Sequence, residues 1–168
     1  STFWAVWHNA VNSGNARGFL DLTNAFATGA DQSVNYWGDG TNYIAPTSAS
    51  FTLGSDPNVN KSSQEYVAYL FADEPGLIKC GSFTPTTPMP GESFVKHTET
   101  GLGFTPQWLL LKSNNTSQNW FIFDTKRGWT QADNKALSPS TSLAESSFPQ
   151  PCWATSDGFE ITTLLANS

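Results

Sequence analysis

Residues 107–125 read QWLLLKSNNTSQNWFIFDT and contain two short apolar runs on either side of a polar turn. The runs QWLLLK (107–112) and NWFIFDT (119–125) are rich in aromatic and branched residues, which favour strands, and SNNTS supplies turn-forming side chains. The WLLL part is apolar on both faces of a strand, which is typical of a strand covered on both sides. This stretch predicts a fold built from short strands that polar turns connect.

The same pattern recurs along the chain, whereas helical periodicity is nearly absent. Evenly spaced short strands between Gly-, Pro- and Asn-rich turns predict an all-β fold. We expect a single β-sandwich domain over residues 1–168, jelly-roll-like or lectin-like, with little helix beyond a weak pattern at 132–137. The further strand candidates are FWAVWH (3–8), GFLDL (18–22), VNYW (34–37), SFTL (50–53), EYVAYLFAD (65–73), LIKCGSFT (77–84), SFVKH (93–97) and GFEITT (158–163). The predicted core consists of Trp4, Val6, Leu20, Phe51, Tyr66, Val67, Tyr69, Phe71, Phe83, Trp108, Leu110, Trp120, Ile122, Phe159 and Ile161.

The composition limits the classes of partner. The net charge is −6, only 13 % of residues are charged, and no basic run is present. A nucleic-acid partner is not expected, because phosphate binding needs clustered cations. No apolar stretch approaches the ~18–20 residues of a membrane-spanning helix. A chain with 14 % aromatic residues and few charges is more typical of extracellular β-proteins than of cytosolic enzymes.

The chain has two cysteines, Cys80 and Cys152. They could pair across a sandwich or remain as two buried thiols, and their spacing leaves both alternatives open. Neither lies in a CxxC motif, and the chain has only two His. We therefore expect neither a zinc site nor any other metal or cofactor.

Residues 3–55 resemble residues 119–165 in the order of their features, which indicates an internal repeat. Each copy has an aromatic strand, a polar turn, a segment that begins with Leu, a lone Trp and a second aromatic strand. The chain thus holds about one and a half units. Either its first and last segments complete one fold, or it is a window of a longer array. The matched blocks are WAVWH (4–8) with WFIFD (120–124), LDLTNAFA (20–27) with LSPSTSLA (137–144), Trp37 with Trp153, and SFTL (50–53) with GFEI (158–161).

The string VNKSSQEYVAYLFADEPGLIKCGSFT (59–84), with GLGFTPQWLLLKSNN (101–115) and NWFIFDTKRGW (119–129), resembles a repeated domain of phage structural proteins. That family occurs in tail-fibre and other virion-surface proteins, particularly of marine phages and cyanophages. FWAVWHN (3–9) is similar to the corresponding strand of the preceding unit. The departures are the Pro-rich TPTTPMPG (84–91) and the shortened second unit. The matching positions are Asn60, 66–72, 81–84, 103–112, 119–128, 137–140 and 158–161.

The resemblance implies an all-β fold on the virion surface, and it implies no catalytic residue or defined ligand. We therefore expect a non-enzymatic structural module, in a phage tail fibre or as a decoration protein, that acts in assembly and host attachment. Its expected partners are other copies or neighbouring virion proteins, because exposed sheet edges invite strand pairing. A host cell-surface glycan is a further expected partner, by association with lectin-like fibre domains only.

A carbohydrate-binding lectin domain is the alternative interpretation, and a polysaccharide-degrading enzyme is the third. The chain has no GxSxG elbow, HExxH motif or Gly-rich phosphate loop. Glycoside hydrolysis needs two carboxyl groups about 5–9.5 Å apart in one cleft. No spacing among the 14 acidic residues marks such a pair, so the sequence predicts no catalytic residue.

The segment VNYWGDGTNY (34–43) is the candidate glycan site. Exposed aromatic rings can stack on the C–H face of a sugar while amide and carboxylate groups bind its hydroxyls. The site requires its three rings to be exposed together, and the competing interpretation places Trp37 in the core. The candidate residues are Tyr36, Trp37, Asp39, Asn42 and Tyr43.

His8 ends the first aromatic strand, and its repeat counterpart is Asp124. Both are placed to bond the backbone of the turn that follows, so we predict a structural role for His8 rather than catalysis or metal binding. Asp124 and Arg127 are predicted to hold the turn after the strand, with the guanidinium stacked on Trp129.

Four loop residues carry oxygen atoms of the kind that Ca²⁺ prefers. Asp31, Asp39, Asp56 and Asn60 lie in segments such as GDGTN and GSDPNVN, which are not EF-hand loops. Turn formation by Asp, Asn and Gly is the simpler interpretation.

Overall fold

Strands dominate the regular structure, as the turn-separated runs predict. A computed structural model describes residues 3–85, 87–88, 94–148 and 152–164. Strands account for 27 % of the chain and helix for 6 %, so the all-β prediction is confirmed. The elements are β1 (Ala5–Val6), a 3-10 turn (Asn12–Gly14), β2 (Ala16–Phe19), β3 (Ala27–Thr28), α1 (Ala30–Trp37), β4 (Thr87–Pro88), β5 (Phe94–Glu99), β6 (Trp108–Leu111), β7 (Phe121–Asp124), β8 (Lys135–Ala136), β9 (Ser146–Ser147), β10 (Cys152–Thr155) and β11 (Gly158–Leu164).

The chain forms two compact units, a division that the single-domain prediction did not include. The first unit consists of Ser1–Leu70, Lys112–Trp120 and Pro139–Thr141. It contains the antiparallel sheet β1-β2-β3 and α1. Its buried core comprises Phe19, Tyr36, Trp37 and Val59.

The second unit consists of Phe71–Leu111, Phe121–Ser138 and Ser142–Ser168. It contains the antiparallel sheet β10-β11-β5-β4 and the two-stranded sheets β6-β7 and β8-β9. The carboxylate of Asp157, in the turn between β10 and β11, accepts the N–H groups of Gly101 (2.9 Å) and Gly103 (2.7 Å). The buried core of this unit is Phe123, Trp129, Ala136, Cys152, Phe159 and Ile161.

The segment VNYW is helical, so its prediction as a strand is wrong. Ser33, Tyr36 and Trp37 are all buried, and their i, i+3, i+4 spacing places them on one face of α1. The Val, Tyr and Trp residues favour strands by composition, but burial of this helical face outweighs that weak preference. Gly38 follows the helix because a Cβ there would lie 2.1 Å from the Asn42 carbonyl oxygen.

Several other predicted elements differ from the structure. Residues 50–53 and 65–73 form no strand, and residues 77–84 contribute only an isolated bridge at Ile78. Residues 132–137 contain β8 instead of a helix. The runs at 107–112, 119–125 and 158–163 are confirmed as strands in β6, β7 and β11. Ser93 of the predicted strand 93–97, half of TPTTPMPG (residues 86 and 89–91), and residues 149–151 and 165 of the predicted repeat lie outside the described residues.

The core prediction is confirmed for Trp120, Phe159 and Ile161, which are buried. Val6, Leu20, Phe83, Leu110 and Ile122 are half-buried. The other predicted core residues are exposed, so their prediction is wrong, because apolar character alone does not determine which strand is buried by packing. The exposed residues are Trp4, Phe51, Tyr66, Val67, Tyr69, Phe71 and Trp108.

The repeat is preserved best at its first block. His8 Nδ1 accepts the N–H of Ala10 (3.1 Å), and Asp124 Oδ1 accepts the N–H of Lys126 (3.0 Å). Both residues therefore bond the backbone two positions further on, which confirms the predicted turn-bonding role. The later blocks differ, since Trp37 lies in a helix whereas its match Trp153 lies in β10.

Candidate functional site

The rings of Tyr36 and Trp37 form part of the core of the first unit. The Trp37 Nε1–H donates to the carbonyl of Ala16 (3.1 Å). The Tyr36 hydroxyl accepts a hydrogen bond from the Asn58 amide (3.1 Å), and burial raises its pKa. The guanidinium of Arg17 lies 5.0 Å from the centre of the Tyr36 ring. Neither ring is available to stack on a ligand.

The other three candidate residues shape the loop after α1. Asp39 and Asn42 are exposed and Tyr43 is half-buried. The Asp39 carboxylate accepts the N–H groups of Thr41 (2.8 Å) and Asn42 (2.7 Å). These hydrogen bonds lower the pKa of the Asp39 carboxyl, and the bond from the Asn42 N–H contributes most. The Tyr43 hydroxyl accepts the indole N–H of Trp7 (3.1 Å).

A shallow groove of about 240 Å³ lies beside this loop. Its volume is below the ~300–1,000 Å³ typical of small-molecule sites, and no aromatic ring lines it. The predicted platform of three exposed rings is therefore not formed, and Asp39 is the one candidate residue that reaches the groove. Sequence reasoning missed residues 52–55 of the groove lining and considered Asn60 only as a calcium candidate; the GSDPNVN turn (54–60) was the available signal. The lining residues are Gly38, Asp39, Gly40, Thr52, Leu53, Gly54, Ser55 and Asn60.

The candidate calcium residues stabilise turns. Asp56 Oδ1 accepts the backbone N–H (2.8 Å) and the side-chain amide (2.9 Å) of Asn58, while the Asn60 amide donates to the carbonyl of Gly54 (2.9 Å). The side chain of Asp31 lies outside the described part of the chain. Among the described residues, no group of three His, Cys, Asp or Glu is placed to hold a metal ion.

Asp124 and Arg127 form the predicted ion pair through Oδ2 and Nε (2.5 Å). This bond is the main reason that the pKa of Asp124 is lowered, and hydrogen bonds from the backbone N–H groups of Arg127 and Lys126 lower it further. Trp129 stacks on Phe123 in the core, with ring centres 6.1 Å apart. The predicted ion pair is confirmed, whereas the predicted stacking of Arg127 on Trp129 is wrong, because Trp129 is buried in the core.

Exposed apolar side chains of the first unit occur at residues 3–4 and 66–70, and a ring contact joins the two segments. The Trp4 ring stacks on Tyr69 with centres 6.0 Å apart. Trp4 is 50 % exposed, and both Val67 and Tyr69 are 70 % exposed. Clustered apolar surface of this kind marks interaction sites in folded proteins. We call this surface the Trp4 face; it consists of Phe3, Trp4, Tyr66, Val67, Tyr69 and Leu70.

The segment 65–72, which carries most of this surface, has no backbone–backbone hydrogen bond to another described residue. The side chain of Tyr66 anchors the start of the segment, because its hydroxyl donates to the carbonyl of Pro57 (2.9 Å) and accepts the N–H of Lys61 (3.0 Å). The sequence signal for this surface is the run YVAYLFA (66–72), which predicts a strand with core residues, whereas the structure leaves Tyr66, Val67 and Tyr69 exposed.

Both cysteines are free thiols. Cys152 is fully buried, and burial raises its pKa to about 12, with a smaller opposing contribution from Trp129. Cys80 is half-buried, and burial is also the main cause that raises its pKa. The sequence left open whether Cys80 and Cys152 form a disulfide or remain thiols, and in the structure both are unpaired thiols.

We expect Cys152 to be unreactive in the folded chain. At pH 8 a thiol of pKa about 12 is ionised in roughly one molecule in ten thousand, and only the thiolate attacks a disulfide reagent. Titration with Ellman's reagent should detect at most one thiol per folded chain and two in guanidinium. The variant Cys80→Ser should give none when folded and one when unfolded. Rapid reaction of folded Cys80→Ser would contradict the burial of Cys152.

Comparison with known proteins places the chain in a family. A family model described as a domain of unknown function, DUF7483, matches residues 1–167, so the chain belongs to that family. No curated protein and no solved structure matches it. Within the described residues, no helix has the length and apolar character to cross a membrane; α1 has eight residues.

Proposed function

We propose that this domain is a non-enzymatic structural module on the surface of a virus particle, of the tail-fibre or decoration type. It acts by binding neighbouring proteins and by attaching the particle to a host surface. The observation that carries the proposal is the Trp4 face, where exposed rings accompany a segment, 65–72, that has no backbone hydrogen bond to the rest of the described chain. Such a surface is suited to assembly, because a neighbouring strand would supply both hydrogen bonds and apolar cover.

Two further observations support this proposal. The strings at 59–84 and 101–129 resemble a repeated domain of phage structural proteins. The chain carries few charges and many aromatic residues, a composition suited to a protein that functions outside the cell. The family membership itself leaves the function open, since the family is defined only as a domain of unknown function.

Immunogold electron microscopy tests the location. Particles purified from a lysate in which the chain is expressed from its natural genome should carry gold when labelled with an antibody against the purified chain. Antibody absorbed beforehand with the purified chain provides the control. Recovery of the chain only in the particle-free fraction would overturn the proposal.

A lectin domain is the second candidate, and the groove beside Asp39 favours it. The groove presents an exposed carboxylate together with the side chains of Ser55 and Asn60. These groups can accept and donate hydrogen bonds to sugar hydroxyls. The absence of an aromatic ring from the groove lining makes this candidate weaker than assembly, because ring stacking is a main source of sugar affinity.

A glycan array tests the lectin candidate. Binding of the folded chain to a defined glycan should fall at least tenfold in Ser55→Arg, which fills the groove, and remain unchanged in Ser117→Arg. Ser117 is an exposed serine in the 114–118 loop, away from the groove-lining residues, so this variant adds the same charge elsewhere. A blank array, or equal loss in both variants, excludes the groove as a sugar site.

A further inference from the structure

Two strands of the chain have one open edge each. β1 pairs with β2 through Ala5↔Phe19 and Val6↔Gly18, and no strand in the described part of the chain pairs with its other side. β6 pairs with β7 along its full length, and its second side is likewise without a strand among the residues described. An open edge presents unpaired N–H and C=O groups that can accept a further strand.

The repeat indicates what belongs beside β1. Its counterpart β7 has neighbours on both sides, namely β6 on one side and Leu137, which exchanges backbone bonds with Ile122, on the other. On β1, the neighbour that corresponds to Leu137 is present, because the N–H of Leu20 donates to the carbonyl of Trp4 (2.9 Å). The neighbour that corresponds to β6 is missing from the structure described.

The exposure of Trp4 agrees with a missing neighbour. Trp4 is 50 % exposed, whereas its repeat counterpart Trp120 is 5 % exposed because Phe19 and Phe26 of the first unit cover it. The ring of Trp4 stacks on Tyr69, and Val67, Tyr69 and Leu70 are 70–74 % exposed. An added strand beside β1 would cover this ring and the adjoining apolar side chains.

We infer that the open edge of β1, with the Trp4 face beside it, is a strand-addition site for β6 of a second copy of this chain. β6 has the required character, since its four residues WLLL are uncharged and apolar, and Trp108 is 52 % exposed. Natural proteins protect open edges with lysine, proline or bulges, and β6 has none of these within its span. The segment 66–72 is also free of charge, so the two surfaces meet without desolvating an ion.

The contact is heterologous, because the β1 edge of one copy takes the β6 edge of the next. Each copy then retains one open edge of each kind, so association continues into open chains or rings instead of stopping at a dimer. This inference deepens the proposed function, on which it rests for its biological setting, by naming the partner as a second copy.

Matched variants test both surfaces by analytical ultracentrifugation. The wild-type chain should show a concentration-dependent series above its monomer mass of 18.3 kDa. Leu70→Lys on the Trp4 face and Trp108→Lys on β6 should each weaken association at least tenfold. Leu77→Lys should leave it unchanged, since Leu77 is an exposed leucine outside both surfaces. A wild-type chain that stays monomeric up to ~100 µM, where an affinity in the micromolar range would show, overturns the inference.

A mixing experiment tests the head-to-tail geometry. Leu70→Lys retains an intact β6 edge, and Trp108→Lys retains an intact β1 edge, so an equimolar mixture should form a dimer although each variant alone is monomeric. Failure of the mixture to associate, or association that both variants leave intact, overturns the inference. Circular dichroism of each variant establishes that it is folded.

Hydrogen exchange on the wild-type chain gives a readout that needs no variant. Among residues 5–7 and 108–111, the amides that point to the open edges should exchange at least tenfold more slowly at high chain concentration than at low concentration, because the alternate amides already donate to β2 or β7. Unchanged exchange overturns the inference. If the purified chain associates but no gold labels the particles, the proposed virion location is wrong and strand addition is retained. If the particles are labelled but the purified chain is monomeric, strand addition is wrong and the virion location is retained.

Discussion

Replacing Phe123 by Ala should lower the free energy of unfolding by about 3–5 kcal/mol, as is typical of removing a buried ring. Phe123 has no exposed surface and lies at the centre of the core of the second unit. Its ring meets Phe148 edge-on at 5.1 Å and stacks on Trp129 at 6.1 Å. Truncation therefore removes apolar burial and two ring contacts and leaves a cavity. Thermal denaturation followed by circular dichroism should show a melting temperature lower by roughly 10 °C.

Phe71→Ala is the matched control, since it makes the same chemical change within the second unit. Phe71 is 67 % exposed, so little burial is lost and the melting temperature of the monomer should change by less than ~2 °C. A loss at Phe71 equal to that at Phe123 would show that the segment 66–72 is covered in the monomer. That outcome would contradict its assignment as a surface.

Local pattern predicted the elements whose pairing partner adjoins them in sequence. β6 and β7 are separated by one polar turn, so their strand signals and the turn signal agree. β11 also follows from local sequence, because GFEITT (158–163) contains aromatic and β-branched residues that favour strands. Its neighbour β10, joined to it by a tight turn at Ser156–Asp157, is not among the strands that the sequence predicts. The turn-bonding role of His8 also followed from local position, since a side chain at the end of a strand reaches the next two N–H groups.

Which segments are buried by tertiary packing could not be predicted from local sequence pattern. The segments around Tyr36 and around Tyr69 both carry β-forming residues, yet one is a buried helix and the other is an exposed segment without strand pairing. The difference depends on what packs against each segment, and strand preference largely measures that packing. Packing also separates the candidate glycan residues. Tyr36 and Trp37 are buried in the core, whereas Asp39 and Asn42 are exposed.

Replacing Trp120 by Ala should lower the free energy of unfolding by about 3–5 kcal/mol. Trp120 is buried in the first unit, and its indole N–H donates to the carbonyl of Phe19 (2.7 Å). Its ring also packs on Phe26, with centres 6.0 Å apart. The substitution removes both contributions, and chemical denaturation should report the loss as a lower midpoint. Trp120→Phe keeps most of the burial and loses the donor, so it should cost about 1–3 kcal/mol.

The repeat supplies the control for this prediction. Trp4 occupies the corresponding position at the start of β1, but half of its surface is exposed and its ring contacts Tyr69. Trp4→Ala should therefore cost less than ~1 kcal/mol in the monomer and weaken self-association instead. At low chain concentration, only Trp120→Ala should shift the denaturation midpoint. At high concentration, association stabilises the folded wild-type chain by mass action. Trp4→Ala should therefore also be less stable than wild type under that condition. Equal losses for the two variants at low concentration would show that Trp4 is a core residue of the isolated chain.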